Sequence, residues 1–295
     1  MEFVHRSVLA SEVMANLPLP AEGGLLIDCT LGEGGHSALF LERYPNLQVI
    51  GIDRDVTILS KAVKRLEKYG SRFTPVNMWF DHYLASYEGE RVDALLFDLG
   101  ISTFHYAQSL RGFSFAVDEE LDMRLNLEGD LTAKEIVNTY TEKEIADLIY
   151  KYGEERYSRR IAAAICRSRE EEEIILATSL ADIVARAVPP QYRYGRLHPA
   201  TRTFQALRIA VNGEIERIVP ALERAIQICR PGGHIGVISF HSLEDRPVKH
   251  FFRERAALGE VNLVTKKPIV PTEEESSENP PSRSAKFRVV ERRGE

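Results

Sequence analysis

Three carboxylates stand at the ends of three apolar runs. Leu25-Leu-Ile closes on Asp28, Val49-Ile-Gly-Ile on Asp53, and Ala94-Leu-Leu-Phe on Asp98. Short apolar runs bounded by turn residues read as buried strands. Ligands of open parallel sheets bind at the carboxyl ends of such strands, so three acids there point to a site. Between the first two acids lies Gly32-Glu-Gly34-Gly35, followed by His36 and Ser37. Glycines let backbone come close to a ligand, and the start of a helix offers unpaired N–H groups to a polar or anionic group. Asp53 follows about 20 residues after the turn, where a nucleotide-binding βαβ unit places an acid on the ribose hydroxyls. A glycine turn alone also fits a tight turn with no ligand.

Further candidates lie at later strand ends. Trp79, the single tryptophan, and Phe80 sit on a loop after Phe73–Val76. A flat adenine could stack there, and core packing explains the two rings equally well. His241 and Ser242 follow the apolar run Ile235–Phe240. His241 reads as an acid or base, a substrate hydrogen bonder or a satisfied core histidine. The stretch Leu99–Phe115 has turn residues, aromatics and no steady period. Such a loop after a strand end can carry chemistry, or simply connect to the next module.

The elements that position these residues alternate. A short helix over Val8–Leu17, with His5 and Ser7 before it as an N-cap region, precedes the first strand. Helical patterns follow from Ser37 and over Thr57–Tyr69. Repeated β–α units predict a mostly parallel sheet covered by helices. From about residue 116 to 200 the pattern is helical and charged, with Thr132–Glu135 and Thr141–Glu144 as capping-box pairs. Two further helices are expected over Tyr157–Arg169 and Ser179–Ala187. Residues 151–208 hold 11 Lys+Arg against 7 Asp+Glu in a chain of net charge −6. That local surplus suits a phosphate-facing surface, or a solvated charged face. Glu214–Ile228 reads as helical, and Arg230–His234 as a sharp turn into the returning strand. Thr272–Pro281, acidic and rich in Pro and Ser, reads as mobile or loop-like. Ser284–Arg292 alternates like an edge strand. The expected plan is an α/β sheet domain of residues 1–108 and 205–295, interrupted by a helical insertion over 109–204.

Bulk properties narrow the class. A length of 295 residues suggests one large or two ordinary domains. The three cysteines, Cys29, Cys166 and Cys229, form no CxxC pair. They fit a reducing cytoplasm better than a disulfide scaffold or a zinc site. No apolar run approaches a membrane span, no signal-peptide core opens the chain, and no ligand spacing calls for a metal.

With these motifs in place, the chain resembles the bacterial 16S rRNA cytosine-N4 methyltransferases, the RsmH/MraW family. The matching stretches are HRSVLASEV, DCTLGEGGHS, GIDRD, DLGIS, RGFSF, LDMRLN, HPATRTFQALRIAVN, ISFHSLEDR and SRSAKFRV. Their number, order and spacing across nearly the whole chain make the resemblance specific. It implies a class I, Rossmann-like methyltransferase sheet with a helical insertion that recognises RNA. It implies S-adenosyl-L-methionine as methyl donor and a decoding-centre cytosine of 16S rRNA, at the P site of the small ribosomal subunit, as acceptor. A cytoplasmic protein without membrane contact is expected, and a homodimer is compatible with the family.

Carried over by residue, the resemblance implies cofactor contacts at Gly34, Gly35, His36, Asp53, Phe80 and Asp98. A further contact, commonly glutamine in the family, falls on His105. Imidazole can still donate one hydrogen bond there, with a different reach. For catalysis, Asp98 is the first candidate to hold the N4 amine and take its proton, with His241 and Ser242 second. Two other classes share parts of the pattern: a nicotinamide-dependent oxidoreductase and a non-catalytic small-subunit assembly factor.

Overall fold

The computed structural model describes residues 6–195 and 197–294. His5 lies outside the described residues. Contacts divide the chain into two compact units: residues up to Ile101 together with those from Ile215 on, and Ser102–Glu214.

The first unit is built on one seven-stranded sheet. Its strands are β1 (Gly24–Asp28), β2 (Leu47–Asp53), β3 (Phe73–Asn77), β4 (Val92–Asp98), β5 (Cys229–Ser239), β6 (Val261–Leu263) and β7 (Lys286–Arg292). They lie in the order β3-β2-β1-β4-β5-β7-β6. β7 is antiparallel to both neighbours, and the other neighbouring pairs are parallel. The order steps outward from β1 to β3 and then returns to β4 on the other side of β1. The crevice beyond the ends of β1 and β4 is therefore the topological switch point where such sheets bind ligands. This is the Rossmann-like, class I methyltransferase plan that the resemblance implies.

Period-two side-chain alternation sends alternate residues to opposite faces. Leu26, Val49 and Leu96 join one core with Phe40, Leu59 and Ala62 of helices Gly35–Arg43 and Val56–Leu66. Ile27, Leu95 and Phe97 join the other, with Leu84, Leu222 and Phe251 of helices Phe80–Ser86, Ile218–Ile228 and Ser242–Ala257. Each fully buried aliphatic or Phe side chain contributes about 1.5–3 kcal/mol, which fixes the strand ends that carry the site.

Several elements depart from expectation. The helix expected over Thr57–Tyr69 spans Val56–Leu66 and tightens into a 3-10 turn, where Gly70 takes φ 56°. Trp79 lies on the expected connection after β3, whereas Phe80 begins helix Phe80–Ser86. The expected turn Arg230–His234 is part of β5, whose register against β4 slips between Val92 and Ala94. The slip absorbs the Pro-Gly-Gly segment as a bulge. β7 is an interior strand, with Phe287 and Val290 fully buried, because β6 pairs with its outer edge. The tail is ordered. Thr272 caps helix Glu273–Glu278, and Glu275 Oε1 accepts the Leu9 N–H at 2.7 Å.

The second unit is helical, with helices Thr103–Ala107, Ala133–Thr139, Glu142–Gly153, Ser158–Glu171, Ala177–Ala187, Pro190–Arg193 and Thr201–Asn212. Thr132 and Thr141 accept from the backbone N–H of Glu135 and Glu144, and at Thr141 the reciprocal bond completes the capping box. The unit reaches beyond 109 and 204 at both ends because its outer helices bond inward. Arg208 Nη1 donates to the Tyr106 hydroxyl at 2.9 Å, and Asn212 Nδ2 to the Met123 carbonyl at 2.8 Å. Among the described residues, no helix is long and apolar enough to cross a membrane, and no His/Cys/Asp/Glu group could hold a metal ion.

Candidate active site

The end of β1 is tied to the helix that follows it. Ser37 Oγ donates to Asp28 Oδ2 at 2.7 Å, and the Thr30 N–H reaches Oδ1 at 3.4 Å. Asp28 is 2% exposed. Burial pushes its carboxyl above the ordinary value, while the Ser37 bond and the nearby His36 oppose that shift. Asp28 therefore anchors the turn from inside and is not open to a ligand. Gly34 caps helix Gly35–Arg43 with φ 74°, where a side chain would be strained. A Cβ at Gly35 would collide with the Ser7 hydroxyl, so the close approach this glycine permits is made by the protein's own N-terminal segment. Gly32 differs: an added Cβ there would meet nothing within 4 Å.

Asp53 closes β2 beside this turn. Its Oδ2 accepts the Gly32 N–H and its Oδ1 the Asp55 N–H, each at 2.9 Å. A carboxylate has about four lone-pair positions, so each oxygen retains one for a further donor. Burial raises the carboxyl to about 7 despite the two N–H donors.

His36 and Asp98 meet at the switch point. His36 is 6% exposed, with Nε2 3.6 Å from Asp98 Oδ2. That separation is within polar contact but too long for a good hydrogen bond. His36 Nδ1 and Nε2 and Asp98 Oδ1 are buried without a hydrogen-bond partner among the described residues. Buried polar atoms are normally satisfied, so three orphans around one crevice mark a place that takes a polar ligand. The Asp98 N–H donates to Thr30 Oγ1 at 2.6 Å, which ties the ends of β1 and β4 together.

The segment after β3 supplies aromatics. Phe80 is buried and meets Phe97 edge-on, with ring centroids 5.7 Å apart. Trp79 is half-buried under the Arg217 guanidinium, 4.1 Å from its ring centroid. Asn77 Nδ2 donates to the Asp53 and Arg54 carbonyls at 2.9 Å each, bracing the segment against the end of β2.

His241 caps helix Ser242–Ala257. Its Nδ1 accepts the Glu244 N–H at 3.4 Å, and its Nε2 lies 3.0 Å from Glu244 Oε1. The geometry assigns the proton to Nε2, because Nδ1 is the acceptor. Protonating Nδ1 would remove the cap. Ser242 is exposed on the first turn.

His105 belongs to the inserted unit. It is 4% exposed between the rings of Phe104 and Phe113, with centroids 5.5 and 5.3 Å away. Also within that unit, Asn212 Oδ1 accepts the Leu125 N–H at 2.8 Å, pinning the LDMRLN stretch to HPATRTFQALRIAVN. Phe115 stacks on His198 at 4.6 Å.

Gly34, Gly35, His36 and Asp98 thus come together at the ends of β1 and β4, and Asp53 joins them through Gly32. Sequence reasoning missed Thr30, Asn77 and Arg217. Thr30, two residues after Asp28, and Asn77, at the end of β3, occupy strand-end positions where polar residues carry meaning. Arg217 lies remote in sequence and leaves no local signal.

The chain matches the MraW methylase family over residues 2–293. Relatives with the name ribosomal RNA small subunit methyltransferase H include one from Treponema denticola, 48% identical over 98% of both chains. Another, from Synechococcus elongatus, is 47% identical over 98% of this chain and 95% of its own. A third, from Persephonella marina, is 46% identical over 98% of this chain and 99% of its own. On this match the chain belongs to the MraW methylase family.

Proposed function

We propose that the protein transfers a methyl group from S-adenosyl-L-methionine to the N4 amine of a decoding-centre cytosine in 16S rRNA, at the P site of the small ribosomal subunit. The observation that carries this reading is the orphaned polar set of His36 and Asp98 at the switch point, in a chain of a methylase family. The residues fit the donor. Asp53 offers two remaining acceptor positions to a ribose diol, Gly32 leaves open space, and His36 offers a buried imidazole at a helix start. Gly34 and Gly35 shape that turn, and the Phe80 edge borders the adenine. His105 stands where family members commonly carry glutamine.

When bound, S-adenosyl-L-methionine supplies a sulfonium-activated methyl group for in-line displacement. The work left to the protein is orientation, because the cytosine N4 lone pair is delocalised into the ring. Asp98 has two distinct oxygens: Oδ2 faces His36, and Oδ1 has no partner. Oδ1 would accept an N4 hydrogen, hold the amine with its lone pair facing the donor and receive the N4 proton, while the methyl–sulfur bond breaks to leave a neutral thioether. The carboxylate thereby serves cofactor side and base with different atoms. His241 is occupied in capping and is the weaker candidate, with Ser242 beside it. The target base reaches the crevice by leaving its stack.

The inserted unit is the RNA-recognising part in this reading. Arg156 lies over both the Tyr157 and Tyr192 rings, at 4.8 and 5.1 Å, and Arg159 and Arg160 are exposed on the next turn. Cations interleaved with aromatics suit a single-stranded, stacked backbone. Transfer of labelled methyl from S-adenosyl-L-methionine to small subunits lacking the modification tests the proposal. Label on the 16S rRNA supports it. Donor binding without transfer, to subunits or free rRNA, would establish an assembly factor in its place.

A further inference from the structure

Two arginines of one helix hold the segment that carries Phe80. Arg217 stands at the start of helix Ile218–Ile228. Its guanidinium lies 4.1 Å from the Trp79 ring centroid, and its Nη1 donates to both Asp81 oxygens at 2.9 Å. The two side chains are 20% and 16% exposed, so salt screens their pairing poorly. Further along the helix, Arg224 Nε donates to the Leu84 carbonyl at 3.0 Å, and Nη2 to the Tyr87 carbonyl at 2.8 Å. Both ends of helix Phe80–Ser86 are therefore held by helix Ile218–Ile228. Phe80 is the residue between the two that Arg217 holds.

We propose that Arg217 is a positioning residue for the cofactor. By fixing Trp79 on one side and Asp81 on the other, it fixes the Phe80 backbone and presents the ring edge to the adenine. The inference rests on the proposed function, which places Phe80 at the adenine. A planar guanidinium is required, because only it can stack on indole and pair with a carboxylate together. Lysine retains the charge toward Asp81 and loses the stack. Neither Arg217 nor Trp79 needs to touch the ligand.

Calorimetric titration of the full-length protein with S-adenosyl-L-methionine tests this, comparing wild type with Arg217→Ala, Arg217→Lys and Trp79→Phe. Arg217→Ala is expected to raise Kd about tenfold, the scale of one charge-assisted contact. Arg217→Lys should raise it less. The KM for the donor should rise more than kcat falls. Trp79 is the sole tryptophan, so its emission reports the segment directly. It should shift to the red in Arg217→Ala and respond less to the donor. A merely structural role would lower the melting temperature and leave the Kd of the folded fraction unchanged. Folded Arg217→Lys and Trp79→Phe proteins with wild-type Kd and KM would overturn the inference, and they decide the matter if Arg217→Ala does not fold. Wild type failing to bind the donor would overturn the proposed function and this inference together. Wild-type binding with unaffected variants would overturn the inference alone.

Discussion

With Asp53 on the ribose diol, as proposed, donor binding should depend on pH in a definite direction. Its carboxyl is raised to about 7 by burial, against the pull of the Gly32 and Asp55 N–H groups. Ribose hydroxyls donate, so they select the ionised form. With a value of about 7, roughly nine-tenths of the carboxyl is ionised at pH 8 and a tenth at pH 6, a ratio near tenfold. Kd for S-adenosyl-L-methionine should therefore fall about tenfold between pH 6 and pH 8, with proton release on binding below pH 7. For folding the sign is opposite to that of a salt-bridged acid. The raised value means the folded protein holds this proton more tightly than the unfolded chain does. Its contribution to stability is present at low pH and is lost as pH rises toward 7. Asp53→Asn removes the charge and turns an amide NH2 toward one of the two backbone N–H donors. Loss of one charge-assisted hydrogen bond, about 1.5–3 kcal/mol, raises Kd about 10- to 150-fold and flattens the pH profile. Calorimetry in buffers of different ionisation enthalpy measures affinity and proton release together. A wild-type Kd that is constant from pH 6 to pH 8 without proton release would show that the ionised Asp53 carboxylate does not hold the ribose.

Other expectations follow from the same geometry. Asp98→Asn should lose about 10²-fold or more in kcat, measured by single-turnover transfer to small subunits at saturating donor; near-normal turnover would remove Asp98 from the proton step. Gly35→Ala should destabilise by about 1–3 kcal/mol through the collision with Ser7, seen as a lower denaturation midpoint. Adding Ser7→Ala should recover most of that loss, and no recovery would show that the strain lies elsewhere. His241→Ala should cost about 0.5–2 kcal/mol of stability as a lost N-cap, with His241→Asn close to wild type in a thermal melt. A kcat loss in His241→Asn as large as that of Asp98→Asn would move the proton step to His241.

Strand ends were the legible part of this molecule. Asp53 and Asp98 close apolar runs long enough to be buried strands, and position alone implied their convergence. Asp28 obeys the same rule and ends differently, because Ser37, nine residues later, turns back to bond it. Gly35 was legible as a glycine that something must approach. That the approaching group is Ser7 depends on the chain's own N-terminal segment folding over the turn. The helices Thr103–Ala107 and Phe80–Ser86, of five and seven residues, are too short for periodicity to register. β7 carries the alternation of an edge strand and is interior only because three residues, Val261–Leu263, pair with it. The acidic tail reads as loop by composition. It is held by Thr272 capping and by Glu275 reaching Leu9, long-range contacts that composition does not encode. His241 shows the converse: a histidine at a strand end suggests chemistry, and Glu244 three residues later is the sign of a capping box.

The most direct test identifies the methylated atom. Small subunits labelled by the protein with S-adenosyl-L-methionine would be digested to nucleosides and the labelled species resolved. Label is expected as N4-methylcytidine in 16S rRNA, and its rate of appearance should fall about 10²-fold or more in Asp98→Asn. Label on a ring carbon, on a ribose oxygen or on another base would contradict an Asp98 carboxylate poised to orient an exocyclic amine.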